Sequence, residues 1–226
     1  MAEDQYFYAL QNARVVENAE AYYRILYEGR ISSWNLRDQH MAKTLIALAS
    51  HLENRFQRPA KLVVWAHNSY VGDARATEMG ERGEHNIGQL IREAHPESSY
   101  LIGFSTYEGS VTAANNWGEL PECKQVAPAM VGSYEALFHE VNRPRFLLHL
   151  SGHKGLEQAL SVPRLQRAIG VVYRPDAEYL SHYFFARLPY QFDSLLHFDR
   201  TTAVIPLPPQ SLSAAEEPLE TWPEGL

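Results

Sequence analysis

Apolar residues recur at three- and four-residue steps through the first sixty positions. Leu10, Ala13, Val16, Ala19, Tyr23 and Leu26 form one such series, and no Gly or Pro interrupts the stretch from Asp4 to Tyr27. That spacing returns to one side of a 3.6-residue turn, so it predicts a helix. Asp4 is placed to cap its start and Gly29 to stop it. Met41, Leu45, Leu48 and Leu52 form a second stripe, which predicts a helix over 36–56 with Asn35 as its cap. Pro59 sits where the chain must turn.

Beyond Pro59 the pattern shortens. Lys61-Leu-Val-Val-Trp-Ala66 is a dense, β-branched run, and 100–104, 145–150, 169–173 and 194–198 resemble it. Runs of this length without alternation predict strands buried on both faces. Helix-length stretches separate several of them, with 86–93 and 134–141 the clearest. The expected fold is therefore α/β, a mostly parallel central sheet flanked by helices. Residues 179–188 fit a strand or a helix. Residues 72–83 and 103–132 are expected to be irregular, and loops of that length are usually functional. One α/β domain is expected over 1–205, helical through 58 and sheet with helices after it. Residues 206–226 mix five Pro with four Glu, and no Lys or Arg follows Arg200, so a frayed tail is expected.

Composition adds exclusions. The 226 residues are 45% hydrophobic and 21% charged, enough apolar material for a sizeable core. The net charge of −7 speaks against a nucleic-acid or anionic-membrane binder. Sixteen Arg against four Lys can still supply local anion contacts. No apolar run approaches the ~20 residues of a membrane span. The start, Met-Ala-Glu-Asp, lacks the features of a secretory signal. Cys123 is the only cysteine, which fits a reducing compartment, and a cytoplasmic location is expected.

The first place for chemistry is Trp65-Ala-His-Asn-Ser-Tyr-Val-Gly-Asp-Ala-Arg75. His67 and Asn68 follow directly on an expected strand, where α/β sheets bind ligands. His67 can act as a base or polarise a carbonyl, and Asn68 can orient it or donate to an oxyanion. Asp73 and Arg75 follow in the same loop. The plain alternative is a His bonded to loop backbone. A second place is Asn35-Leu-Arg-Asp-Gln-His-Met41, where Arg37 and Asp38 either form a local cap and ion pair or meet a substrate. Tyr107 and Glu108 follow another strand, with Glu108 an acid, a base or an orienting group, or simply part of a Gly turn. His149 and His197 lie in apolar runs and read as core residues. There is no Gly-x-Ser-x-Gly elbow, phosphate loop or His-Glu-x-x-His, and nothing requires a metal or cofactor.

Taken in order, Arg37-Asp-x-x-Met41, Trp65-Ala-His-Asn68, Met79-Gly80, Gly103-Phe104 and Tyr107-x-Gly109 resemble the erythromycin esterase family. Tyr173-Arg-Pro175, Ser181-His-Tyr-Phe184, Gln191-Phe-Asp193 and His197-Phe-Asp199 resemble a branch often fused behind a phosphoribosyltransferase-like domain. The resemblance implies a hydrolase that opens esters or lactones by water attack. In it His67 matches the first His of a His-Asn-x-His loop, and Arg37 matches the Arg of an Arg-Asp motif. Two departures stand out. Tyr70 occupies the place of the loop's second His, and no Gly-Glu-x-x-His is present. On the resemblance, the N-terminal part that carries the family's base is missing.

Three functions follow. The first is an esterase acting on a small-molecule ester or lactone, weak on its own, with His67 and Glu108 catalytic and Arg37, Asn68, Tyr70, Asp73, Arg75 and Tyr107 binding substrate. The second is a non-catalytic fragment or binding module completed by an N-terminal half or by a second copy. The third and weakest is a nucleotide-linked enzyme, which the lack of a phosphate cradle disfavours.

Overall fold

The computed structural model describes residues 2–26 and 29–206. Two long helices open the chain, α1 (Ala2–Ile25) and α2 (Arg30–Phe56). Asp4 lies inside the first turn of α1 instead of capping it. Its carboxylate meets His51 at 3.1 Å and Arg55 at 2.8 Å on α2, and Phe7 stacks on the His51 ring at 4.1 Å. Gly29, expected as a stop, is the N-cap of α2 at φ 141°. The second helix therefore starts a turn and a half earlier than expected, because Ile31-Ser-Ser-Trp34 continues it without a breaker. Asn35 is freed from capping and spends its amide on the Gly83 carbonyl and the His85 N–H, both at 2.9 Å.

Short elements follow: α3 (Asn68–Val71), a 3₁₀ turn over Ala74–Ala76, α4 (Glu78–Glu81) and α5 (Ile87–Ala94). Residues 72–83 are thus a chain of capped turns, Asp73 and Thr77 each accepting from backbone N–H groups two or three residues on. The helix expected over 86–93 is α5, with Asn86 as its N-cap, accepting from the Gln89 N–H.

The remaining elements are β1 (Ile102–Ala113), β2 (Glu122–Val126), α6 (Tyr134–His139), β3 (Arg145–His149), α7 (Lys154–Leu160), β4 (Arg164–Arg167), α8 (Glu178–Ser181), β5 (Tyr183–Ala186), α9 (Leu188–Gln191) and β6 (Ser194–Thr201). The central sheet runs β2-β1-β6-β3. It is flanked by helices, as expected, but mixed instead of mostly parallel. Only β1 and β6 run parallel; β2 and β3 join antiparallel. Residues 103–132, expected to be irregular, hold β1 and β2, because Thr106, Tyr107, Val111 and Thr112 suit a pleated surface better than the glycines suit turns. Gly109 marks a close approach: at φ 132°, a Cβ there would sit 2.1 Å from the Thr201 carbonyl oxygen. β4 and β5 form a separate antiparallel pair, so residues 179–188 resolve into helix, strand and helix.

Two expected strands do not form. Lys61–Ala66 is unpaired, and its apolar side chains face solvent, Val63 91% and Trp65 85% exposed. A β-branched run records fitness for a buried pleat, and among the described residues no neighbouring strand supplies one. Residues 169–173 form no strand; they meet the end of β1 at Ala114, whose N–H and C=O bond Val171 O and Tyr173 N, and Tyr173 packs on Ala113 and Val126. The expected tail falls outside the described residues from 207 onward.

The core lies between the sheet and α6, α7 and α9. Leu101, Tyr134, Phe138, Leu150, Leu188, Phe192 and Leu195 are buried there. Each such side chain contributes about 1.5–3 kcal/mol by leaving water. Among the described residues no helix is long and apolar enough to cross a membrane.

Candidate functional site

The site grows from α3. His67 is the N-cap of this one-turn helix, and its Nδ1 accepts from the Ser69 N–H at 3.2 Å and lies 2.9 Å from Ser69 Oγ. Its Nε2 lies 3.0 Å from the Ile169 carbonyl oxygen. A carbonyl only accepts, so Nε2 carries the hydrogen and the basic lone pair is on Nδ1. Desolvation lowers the His67 pKa, while the Ile169 bond works the other way. The neutral ring is the resting form at pH 7.

Asn68 does not face an open site. Its amide donates to Phe104 O at 2.6 Å and accepts from Phe104 N at 3.1 Å. Those are the two bonds a neighbouring strand would make, and they fix α3 to the uncovered edge of β1.

Tyr70 reaches the other way, to α2. Its hydroxyl accepts from Arg37 Nη2 at 2.9 Å, and its ring stacks on Trp34 at 5.0 Å and 16°. The guanidinium lies 5.1 Å from the Trp34 ring centre and 5.7 Å from that of Tyr70. Burial raises the Tyr70 pKa, Arg37 opposes that, and Asp38 adds to it. A tyrosine that accepts from a guanidinium keeps its own O–H to donate elsewhere.

Asp38 underpins this corner. It is fully buried, its Oδ1 accepts from the Ile87 N–H at 3.0 Å, and its Oδ2 has no hydrogen-bond partner among the described residues. Burial pushes its carboxyl up to about 6; the Ile87 N–H and Arg37 pull it down, and Glu84 pushes it up. Asn86 ties α5 to α3, donating to Ser69 O at 2.8 Å and Gly72 O at 2.6 Å. Asp38 and Asn86 are the residues that sequence reasoning undervalued. The Arg-Asp pair pointed to the first, but only the fold shows it bonded to α5 and not to its neighbour.

The remaining candidates lie elsewhere. Asp73 is buried and grips Arg75 through Nε at 2.9 Å and Nη2 at 2.6 Å, on the wall of a separate cleft of about 410 Å³. Glu108 pairs with Arg200, and Tyr107 stacks flat on His139 at 3.8 Å. No hydrogen bond or ring contact joins either residue to His67, Arg37 or Tyr70 among the described residues. Arg37, His67, Asn68 and Tyr70 are therefore assembled around α3, and the other four are not. Among the described residues no three His, Cys, Asp or Glu side chains gather as a metal-holding group.

The ordered motifs that supply these side chains have a counterpart in a known family: the profile described as erythromycin esterase matches residues 1–201. The chain belongs to the erythromycin esterase family. Solved structures agree on the fold. A Bacillus cereus protein superposes with a TM-score of 0.67 at 20% identity, over 87% of this chain and 45% of that one. A succinoglycan biosynthesis protein gives 0.61 at 23%, over 77% and 40%. The erythromycin esterase EreC, as a mutant in its open conformation, gives 0.50 at 15%, again over 77% and 40%. This family member thus spans less than half the length of the solved chains it matches.

Proposed function

We propose that the chain carries part of the active site of an esterase-like hydrolase acting on an ester or lactone. The observation that carries the reading is the hydrogen bond from Arg37 to Tyr70, set one helical turn from the N-capping His67. In the proposed step a water oxygen bonds to the substrate carbonyl carbon while its proton passes to His67 Nδ1. The Ser69 hydroxyl must first turn its hydrogen away from that nitrogen, and the capping bond from the Ser69 N–H must open, because Nδ1 has a single lone pair. The carbonyl oxygen gains the negative charge and is met by the Tyr70 O–H and the Arg37 guanidinium, donors already held in place. Collapse breaks the acyl–oxygen bond, and the proton on His67 leaves with the alkoxide. Metal-free chemistry of this kind needs no cofactor, and none is invoked.

The isolated chain is expected to be slow, because the Gly-Glu-x-x-His that the family resemblance assigns as base is absent from this sequence. The test is hydrolysis of a panel of activated esters and macrolactones by the purified chain and by His67→Asn. Asparagine preserves an N-cap acceptor, so folding is retained while the base is lost. Slow turnover abolished in His67→Asn is expected. Turnover equal in the two proteins removes His67 from the reaction.

A second reading, a module completed by another chain, is favoured by one observation. Leu62, Val63, Val64 and Trp65 expose a continuous apolar run beside Phe104, of the kind that marks a contact surface. Co-expression with an N-terminal half from a full-length relative tests it: a stable complex with raised activity is expected, and two proteins that elute apart overturn it.

A further inference from the structure

A second cleft lies apart from His67. It opens where the 3₁₀ turn at Ala74–Ala76 meets α5 and α9, and its volume of about 410 Å³ suits a small molecule. Three guanidiniums line it, those of Arg75, Arg92 and Arg187. Two are held from behind. Asp73 grips Arg75, and Asp193 grips Arg92 through Nη1 at 3.1 Å and Nη2 at 2.6 Å. Asp193 is itself anchored by the Leu101 N–H at 2.7 Å. Side chains fixed in this way lose little freedom when a ligand arrives.

Arg187 differs. Its side chain is 40% exposed, and its guanidinium makes no hydrogen bond among the described residues. The nearest carboxylate is Glu81 at 3.8 Å, too long for one. A guanidinium offers five N–H donors in a planar fork that fits an oxyanion. The lining itself carries three positive and two negative charges, and two further carboxylates lie next to it, Glu93 at 3.4 Å from Arg75 and Glu81 at 3.8 Å from Arg187. Tyr190, 58% exposed, and Pro189 supply a flat apolar side.

We propose that this cleft binds a small molecule bearing a carboxylate or phosphate, with the anion on Arg187 and its apolar part against Tyr190. The inference is independent of the hydrolase reading, since no residue of this wall takes part in the proposed reaction. Arg75 and Arg92, each balanced by its aspartate, shape the wall, and Arg187 is the contact. The loose Glu81 pair gives way as the anion arrives.

The test is titration of the intact chain with inorganic phosphate and, separately, with benzoate, read by calorimetry and by amide NMR shifts. Saturable binding of at least one probe is expected, weakened about tenfold or more in Arg187→Gln and unchanged in Arg58→Gln, an exposed arginine outside the cleft. Tyr190→Ala is expected to weaken benzoate alone, which also covers the case of an unfolded Arg187 variant. Benzoate without phosphate identifies a carboxylate ligand; phosphate without benzoate identifies a phosphate. Saturation by neither probe overturns the proposal, as does equal affinity in wild type and Arg187→Gln.

Discussion

Arg37 and Tyr70, on separate helices 33 residues apart, share one hydrogen bond of 2.9 Å, and both pack on Trp34, Tyr70 by ring stacking and Arg37 as a cation over the ring. The pair does two things at once. It holds α3 against α2, and it keeps a phenolic O–H and a guanidinium together at the helix that His67 caps. Tyr70→Phe keeps the stack and removes the bond, so a stability loss of about 0.5–1.5 kcal/mol is expected. A double-mutant cycle with Arg37→Ala should return a coupling of similar size from denaturant unfolding. Additive losses would mean that the bond carries no net energy. In the ester assay, Tyr70→Phe is expected to cost about 10²–10³ in rate if its O–H meets the oxyanion.

Asp38 and Glu135 give the stability a definite pH slope. Burial lifts Asp38 from 3.8 to about 6 and Glu135 from 4.5 to about 7. Both folded values lie above the unfolded ones, so the fold favours the protonated forms. Their contribution is full below about pH 4, is lost as pH rises from about 4 to about 7, and stays constant above that. Asp38→Asn removes the lower part of the slope. The variant should gain on the wild type between pH 4 and pH 6, by no more than about 3 kcal/mol. Chemical denaturation at several pH values measures the difference, and a gap that does not change with pH would refute the assignment.

Gly88 lies in the first turn of α5, where alanine ordinarily stabilises a helix by about 0.5–1 kcal/mol. Here a Cβ would fall 2.4 Å from Val71 O and 2.6 Å from Gly72 O, both backbone atoms. Gly88→Ala should therefore destabilise by roughly 1–3 kcal/mol and push α5 off α3. A raised melting temperature would show that the two helices are not packed this closely.

The contrast between Leu195 and Val63 tests which apolar runs are structural. Leu195 is fully buried, and Leu195→Ala should cost about 2–5 kcal/mol. Val63 is 91% exposed, and Val63→Ser should stay within about 0.5 kcal/mol. A loss of several kcal/mol at Val63 would mean that Lys61–Ala66 is packed in solution.

That contrast also explains what was legible in the sequence. Strands at 102–104, 145–149 and 194–198 and the helix near 86–93 could be read from local pattern, because partners found elsewhere in the chain reward the same pattern. Lys61–Ala66 carries an equally strong pattern and forms no strand, since a strand also needs a neighbour. β1 was missed beyond Phe104 because Gly109 reads as a turn until the approach of Thr201 is known. Around His67, residue type and place in the chain suggested His67, Asn68, Tyr70 and Arg37. The separation of Asp73, Arg75, Tyr107 and Glu108 could not be foreseen, because it depends on which partner each charge or ring finds in space.

The amide of Asn68 closes both polar groups of Phe104, and Arg167 reaches the carbonyls of Thr106 and Tyr107 at 3.4 Å and 2.8 Å. Side chains have thus closed the stretch of β1 that β2 leaves uncovered, while β2 and β3 remain the outer strands. Contact between molecules at this end of the sheet would then be greasy and not ladder-like, seated on 62–65. A lysine at position 63 would cure it, where a proline in β1 would only damage the sheet.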